Sequence, residues 1–168
     1  MQQHTQEEIW KPVVGYEGLY EVSDHGTVRS LPRTVRRGSG TLNVKGRVLS
    51  PAREPYGYPL VSLWKSGKSK MGRVHRLVLE AFVGPCPTGM EACHNNGDAS
   101  DARLENLRWD TPKANKLDIV RHGNHFQAKK THCPKGHPYS PENTMRSGGS
   151  RYCRTCHRER GRLVRSTK

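Results

Sequence analysis

Acidic residues are scarce in this chain: 15 Asp and Glu face 29 Lys and Arg, for a formal net charge of +14 and a sequence pI of about 10.0. That imbalance points to a polyanionic partner, with nucleic acid the first candidate. Apolar residues are sparse as well, 32% of 168 positions with 2 Phe, while 17 Gly and 11 Pro interrupt the chain. The shortage disfavours one large core and favours small modules with shallow cores. No apolar run approaches the ~18 residues of a membrane span, and the opening MQQHTQEEIW lacks the basic-then-apolar order of a signal peptide. The expectation is a cytoplasmic protein without membrane contact. In that compartment Cys86, Cys93, Cys133, Cys153 and Cys156 read as metal ligands or free thiols rather than disulfides.

The positive charge is unevenly spread. From His125 to Lys168 there are 11 Lys or Arg against 2 acids. Residues 1–86 read as a small antiparallel sheet with one helix. Leu19 to Ser23 and Thr27 to Leu31 are strand-like around the turn Asp24-His25-Gly26, with Trp10, Tyr16 and Tyr20 as apolar mass. Arg33 to Arg47 reads as a flexible cationic loop. Its Arg33, Arg36, Arg37, Lys45 and Arg47 have no acid among them and suit phosphate oxygens without demanding a base sequence. Further strands are expected over Val48 to Pro51 and Tyr58 to Trp64, the latter turning back at Lys65-Ser66-Gly67-Lys68. Val74, Leu77, Val78, Ala81 and Phe82 fall at helical spacing, so Val74 to Val83 is expected as an amphipathic helix ended by Gly84-Pro85-Cys86-Pro87. His75 lies on that helix and reads as a structural residue.

Beyond a polar linker at 122–131, the module 132–168 carries Cys133-Pro-Lys-Gly-His137 and Cys153-Arg-Thr-Cys156. Two ligands in a tight turn, a loop of fifteen residues and a second tight pair fit tetrahedral Zn²⁺. Gly136 permits the turn that aims backbone N–H groups at a thiolate. His132 and His157 flank the set and are alternatives to His137 or Cys156. Arg154, Arg158, Arg162 and Arg165 fall along one side of a helix beginning at the second pair, suited to phosphates and to base edges in a groove; a disordered basic tail is the alternative.

The centre of the chain is Met90 to Lys116. It contains Cys93-His94-Asn95-Asn96-Gly97, then Asn106-Leu107-Arg108-Trp109, then Asn115 beyond Thr111-Pro112. His94 has an ordinary pKa of ~6.5, so near neutral pH it can take a proton from water. Thr111 is a plausible N-cap and Pro112 an N1 residue for a following helix. This combination resembles the HNH (His-Me finger) endonuclease family. Gly15-Tyr16-Glu17-Gly18-Leu19-Tyr20-Glu21-Val22-Ser23 with Gly26-Thr27-Val28-Arg29-Ser30 looks like the N-terminal module of many phage members, implicated there in DNA contact.

The resemblance implies an α+β protein: an N-terminal sheet and helix (1–86), a ββα-metal unit (87–121) and the zinc knuckle module. It implies catalysis by His94, Asn106 and Asn115, with Asn106 as a structural and orienting residue that fixes the imidazole, and Asn115 as an oxygen ligand for Mg²⁺ or Mn²⁺. The expected activity is phosphodiester hydrolysis in double-stranded DNA, in a host bacterial cytoplasm if phage-encoded, with no protein partner evident. Many relatives carry an acid immediately before the histidine, where this chain has Cys93. A thiolate there favours Mn²⁺ or another transition ion, or the residue does not ligate at all, with Asp98 or Asp101 as alternative carboxylates. Cys93 also sustains a second reading, a non-catalytic zinc-stabilised DNA-binding regulator built on an HNH scaffold.

Overall fold

The computed structural model describes residues 7–166, leaving aside the side chains of Arg37, Ala128 and residues 163–166. Contacts divide the chain into two compact units, Met1–Asp118 and Ile119–Lys168.

In the first unit, β1 (Trp10–Pro12), β2 (Tyr20–Ser23) and β3 (Val28–Ser30) form an antiparallel meander. Tyr20, Val22 and Val28 are buried, so the short hairpin is held by its apolar face. Gly26 makes its turn at φ +81, and an added Cβ there would sit 2.9 Å from the Ala102 carbonyl oxygen.

Arg33 to Arg47 is not a loop. β4 (Arg33–Arg37) and β5 (Gly40–Val44) pair through five residues as a ribbon, and β6 (Arg47–Val48) returns to the edge of β3. Val35 lies opposite Leu42, and Thr34 donates to Asn43 at 2.8 Å. These cross-strand partners give the segment an order that its charge conceals.

β7 (Ala52–Arg53), β8 (Pro59–Lys65) and β9 (Lys68–Arg73) make a second sheet closed by the expected turn at Ser66-Gly67. Of the expected strand over Val48 to Pro51 only Val48 lies in a strand, at the end of β6, and Leu49 to Pro51 connect β6 to β7. α1 (Val74–Phe82) packs its apolar face on both sheets. Val74, Val78 and Leu79 are almost fully buried, each contributing roughly 1.5–3 kcal/mol relative to exposure.

β10 (Glu91–His94) and β11 (Leu107–Asp110) form a separate antiparallel hairpin, with a 3-10 turn at Leu104–Asn106 and α2 (Pro112–Arg121) following. The Thr111 hydroxyl accepts from the Ala114 N–H at 3.2 Å, capping α2 where the sequence signal places its start. Leu107 and Ala102 join the same core cluster as Val22 and Val78, with Ala92 and Trp109 packed against it. The segments 1–86 and 87–118 therefore share one core.

The second unit holds α3 (Phe126–Lys129), a short helix inside the expected linker, the hairpin β12 (Thr144–Ser147) and β13 (Ser150–Cys153), and α4 (Arg154–Ser166). Among its described residues the buried side chains are Cys133 and Cys153.

Candidate active site and metal centre

Strand alternation sorts the β10–β11 side chains onto two faces. Ala92, Leu107 and Trp109 face the core, and His94 is on their side. Its ring lies 5.0 Å from that of His75 on α1 and 5.7 Å from that of Tyr58, which in turn is 4.9 Å from His75. Glu91 and Cys93 lie on the opposite face, toward α2. There Asn115 donates from Nδ2 to Glu91 Oε1 at 2.6 Å. Arg108, across the hairpin from Cys93, donates to Asp110 at 2.9 Å and also bonds Asp118 and Asn95.

His94 is 7% exposed. Its Nε2 is buried without a hydrogen-bond partner, which leaves Nδ1 as the nitrogen able to meet water. Burial lowers the His94 pKa below the ordinary histidine value, opposed by the negative charge of Asp101 and Asp98. The imidazole is thereby kept in its neutral, proton-accepting form. His75, 4% exposed, is pushed down to about 3 by burial and by the neighbouring His94, Arg73 and Arg76. Its position on a packed helix agrees with a structural residue, but the ring contact with His94 brings it beside the site. Neither that contact nor that of Tyr58 has a local sequence signature.

Asn106, 6% exposed, spans the loop between the two strands. Its Oδ1 accepts from the Asn96 N–H at 3.0 Å, its Nδ2 donates to the Asp101 carbonyl at 2.9 Å, and its own carbonyl accepts from the Asn95 N–H at 2.7 Å. The carboxamide thus shapes the loop that leaves His94. Among the described residues it makes no hydrogen bond to the imidazole, and its side chain acts on the loop that runs back to the His94 strand.

Cys93 is 1% exposed, its Sγ 3.6 Å from the Glu91 carbonyl. Burial pushes its thiol up to about 11, so at neutral pH the group is S–H rather than thiolate. A protonated sulfur is a poor partner for a hard cation, whereas the carboxamide of Asn115 offers an oxygen that suits one. Asp98 and Asp101 are engaged within the loop. Asp98 accepts from the Ser100 N–H and hydroxyl at 2.8 Å. Asp101, held down to about 2 chiefly by the Arg103 guanidinium, also accepts from Asn96. Sequence reasoning missed Glu91, although its place two residues before Cys93 on a strand would have put it on the same face.

In the second unit Cys133, His137, Cys153 and Cys156 bring their ligand atoms within 4.8 Å of one another. His137 Nδ1 lies 3.2 Å from Cys156 Sγ and 3.6 Å from Cys133 Sγ, and those two sulfurs are 3.6 Å apart. Zn–S bonds of ≈ 2.3 Å in a tetrahedron require edges of about 3.8 Å, so the donor set fits zinc. Glu159 Oε1 is 3.6 Å from His137 Nε2, the nitrogen turned away from the sulfurs. A carboxylate in that place orients a metal-binding imidazole. The flanking His132 pairs with Thr131 through Nδ1, and His157 is exposed; both are outside the set. Gly136 takes φ +80 as its turn requires, but its N–H bonds the Cys133 carbonyl at 2.9 Å. A backbone N–H does approach sulfur at the second pair, from Cys156 to Cys153 at 3.5 Å.

Among the cationic candidates, Arg33, Lys45 and Arg47 line a groove of about 430 Å³ with Trp64, which is 54% exposed. Arg36 is exposed on the β4–β5 ribbon. Arg154, Arg158 and Arg162 are exposed along α4. The side chains of Arg37 and Arg165 lie outside the described residues.

The family description NUMOD4 motif matches residues 8–64, and the description HNH endonuclease matches residues 73–117. The chain is 35% identical over 114 residues to DNA endonuclease I-HmuI of Bacillus phage SP01, an alignment covering 68% of this chain and 59% of that protein. It therefore spans about three fifths of that relative's length. A solved structure described as DNA binding and cleavage by the HNH homing endonuclease I-HmuI superposes with a TM-score of 0.56 at 28% identity, covering 90% of this chain and 82% of that one. Residues 73–117 are thus an HNH endonuclease domain and residues 8–64 a NUMOD4 motif, in a chain homologous to the phage homing endonuclease I-HmuI.

Proposed function

We propose that the chain is a metal-dependent endonuclease that hydrolyses phosphodiester bonds in double-stranded DNA. The observation that carries this reading is the placing of His94, Asn106 and Asn115 on one hairpin-and-helix unit inside the HNH segment. His94 accepts a proton from water through Nδ1, the water oxygen forms the new bond to phosphorus, and the bond to the 3′ oxygen breaks. Asn106 holds the loop that sets the His94 backbone. Asn115 would hold Mg²⁺ or Mn²⁺ through its carboxamide oxygen. When bound, such a cation neutralises charge on the phosphate and on the departing oxygen.

Cys133, His137, Cys153 and Cys156 would hold a structural Zn²⁺. Arg33, Arg36, Arg37, Lys45 and Arg47, with Arg154, Arg158, Arg162 and Arg165, would contact the DNA backbone, neutralising phosphates without reading sequence. Among the described residues no helix is long and apolar enough to cross a membrane. A cytoplasmic site of action fits DNA as substrate and free thiols.

Supercoiled plasmid incubated with the full chain and Mg²⁺ or Mn²⁺ tests this. Wild type should nick or linearise it, and His94→Ala should be slower by roughly 10²- to 10⁴-fold, the usual contribution of a general base. Equal rates would remove His94 from the chemistry. Silence from both would favour a DNA-binding protein without catalysis.

A further inference from the structure

We propose that Glu91 is a ligand of the divalent cation in the HNH unit, binding it together with Asn115 and supplying the carboxylate that Cys93 does not. The inference rests on the nuclease reading above and deepens it. Residues 91 and 93 are on the same face of β10, so a carboxylate at either position is directed toward α2. Cys93 Sγ is withdrawn against the Glu91 carbonyl, whereas the Glu91 side chain reaches Asn115.

The spacing of that contact suits an ion. Glu91 Oε1 and Asn115 Nδ2 are 2.6 Å apart. A half-turn of the carboxamide exchanges its nitrogen for Oδ1 without changing its shape, and two oxygens then face each other. Adjacent ligands of an octahedral Mg²⁺ with bonds of 2.0–2.1 Å lie about 2.8 to 3.0 Å apart, so a small opening of the pair accommodates the ion. Charge singles out the same carboxylate. Asp110 and Asp118 on this face are both bonded to Arg108, and Asp101 is paired with Arg103. Glu91 has the carboxamide of Asn115 as its partner, and among the described residues no ion pair engages its carboxylate. Two oxygens from the protein leave the remaining positions to water and phosphate oxygens, the usual distribution for Mg²⁺ at phosphoryl sites.

The test is Mn²⁺ binding to the zinc-loaded full chain, followed by electron paramagnetic resonance, for wild type, Glu91→Gln, Cys93→Ser and Asn115→Ala. Glu91→Gln and Asn115→Ala should each weaken binding at least about tenfold, the scale at which even an outer partner of a ligand acts, while Cys93→Ser leaves it unchanged. In the unaltered chain, Mn²⁺ should broaden the NMR signals of the Glu91 and Asn115 amides and the Asn115 side-chain NH₂, a readout independent of how any variant folds. Loss of binding in Asn115→Ala but not in Glu91→Gln overturns the assignment of Glu91 and leaves the nuclease intact. So does broadening centred on Asp98 and Asp101. Absence of Mn²⁺ binding in every protein, together with an uncleaved plasmid, removes the nuclease reading and this inference with it.

Discussion

His75 and His94 show what burial does to an imidazole. Unfolded, His75 takes up a proton as pH falls through its ordinary 6.5; folded, it resists until about 3, because burial and the nearby His94, Arg73 and Arg76 all disfavour the charge. The unfolded state therefore binds more protons throughout that window, and stability falls as pH falls from 6.5 toward 3. The slope from one such group is at most about 1.4 kcal/mol per pH unit. His94 acts in the same direction. In His75→Phe the stability–pH curve should flatten between about pH 6.5 and 4.5, above the ordinary carboxylate range; urea unfolding at a series of pH values measures it. An unchanged slope would mean that His75 is not the group protonated on unfolding. The helical face bearing His75 was legible from the spacing of Val74, Leu77 and Val78. Its meeting with His94 was not, because α1 and β10 are brought together only by the shared core.

At the scale of elements, the second unit depends on chemistry rather than on apolar packing. Two cysteines are the buried side chains among its described residues, and α4 starts one residue beyond Cys153. Zinc in isolated finger peptides contributes roughly 10 to 16 kcal/mol at neutral pH, far more than so small a core can supply. Chelation should therefore abolish α4 and the β12–β13 hairpin. The chain has 3 Trp, and Trp10, Trp64 and Trp109 all lie in the first unit. Far-ultraviolet circular dichroism should thus lose helix signal while tryptophan fluorescence holds steady; a parallel loss of both would show that the first unit also needs the metal. The knuckles were readable because ligand types at fixed spacing are a local pattern. The β4–β5 ribbon was not, since Arg, Gly and Ser mask strand character that resides in cross-strand partners such as Val35 and Leu42.

For the whole molecule, a formal charge of +14 would make the proposed DNA binding a matter of counterion release. If six to ten phosphates are contacted, affinity should drop roughly 10³- to 10⁵-fold between 50 and 200 mM salt, as a filter-binding or anisotropy titration would record. A nearly flat response would rule out the extended basic surface. Module order was legible from composition and motifs; the fusion of the first two modules was not, because it rests on contacts remote in sequence. Leu104 donates to the Asp24 carbonyl at 2.7 Å, and Gly26 lies so close to Ala102 that a methyl group would collide with its carbonyl. That seam bears on ancestry. The NUMOD4 and HNH segments of this chain are not interchangeable beads, and a recombination joining either to a foreign counterpart would inherit a mismatched turn at residue 26 unless the opposing loop came with it.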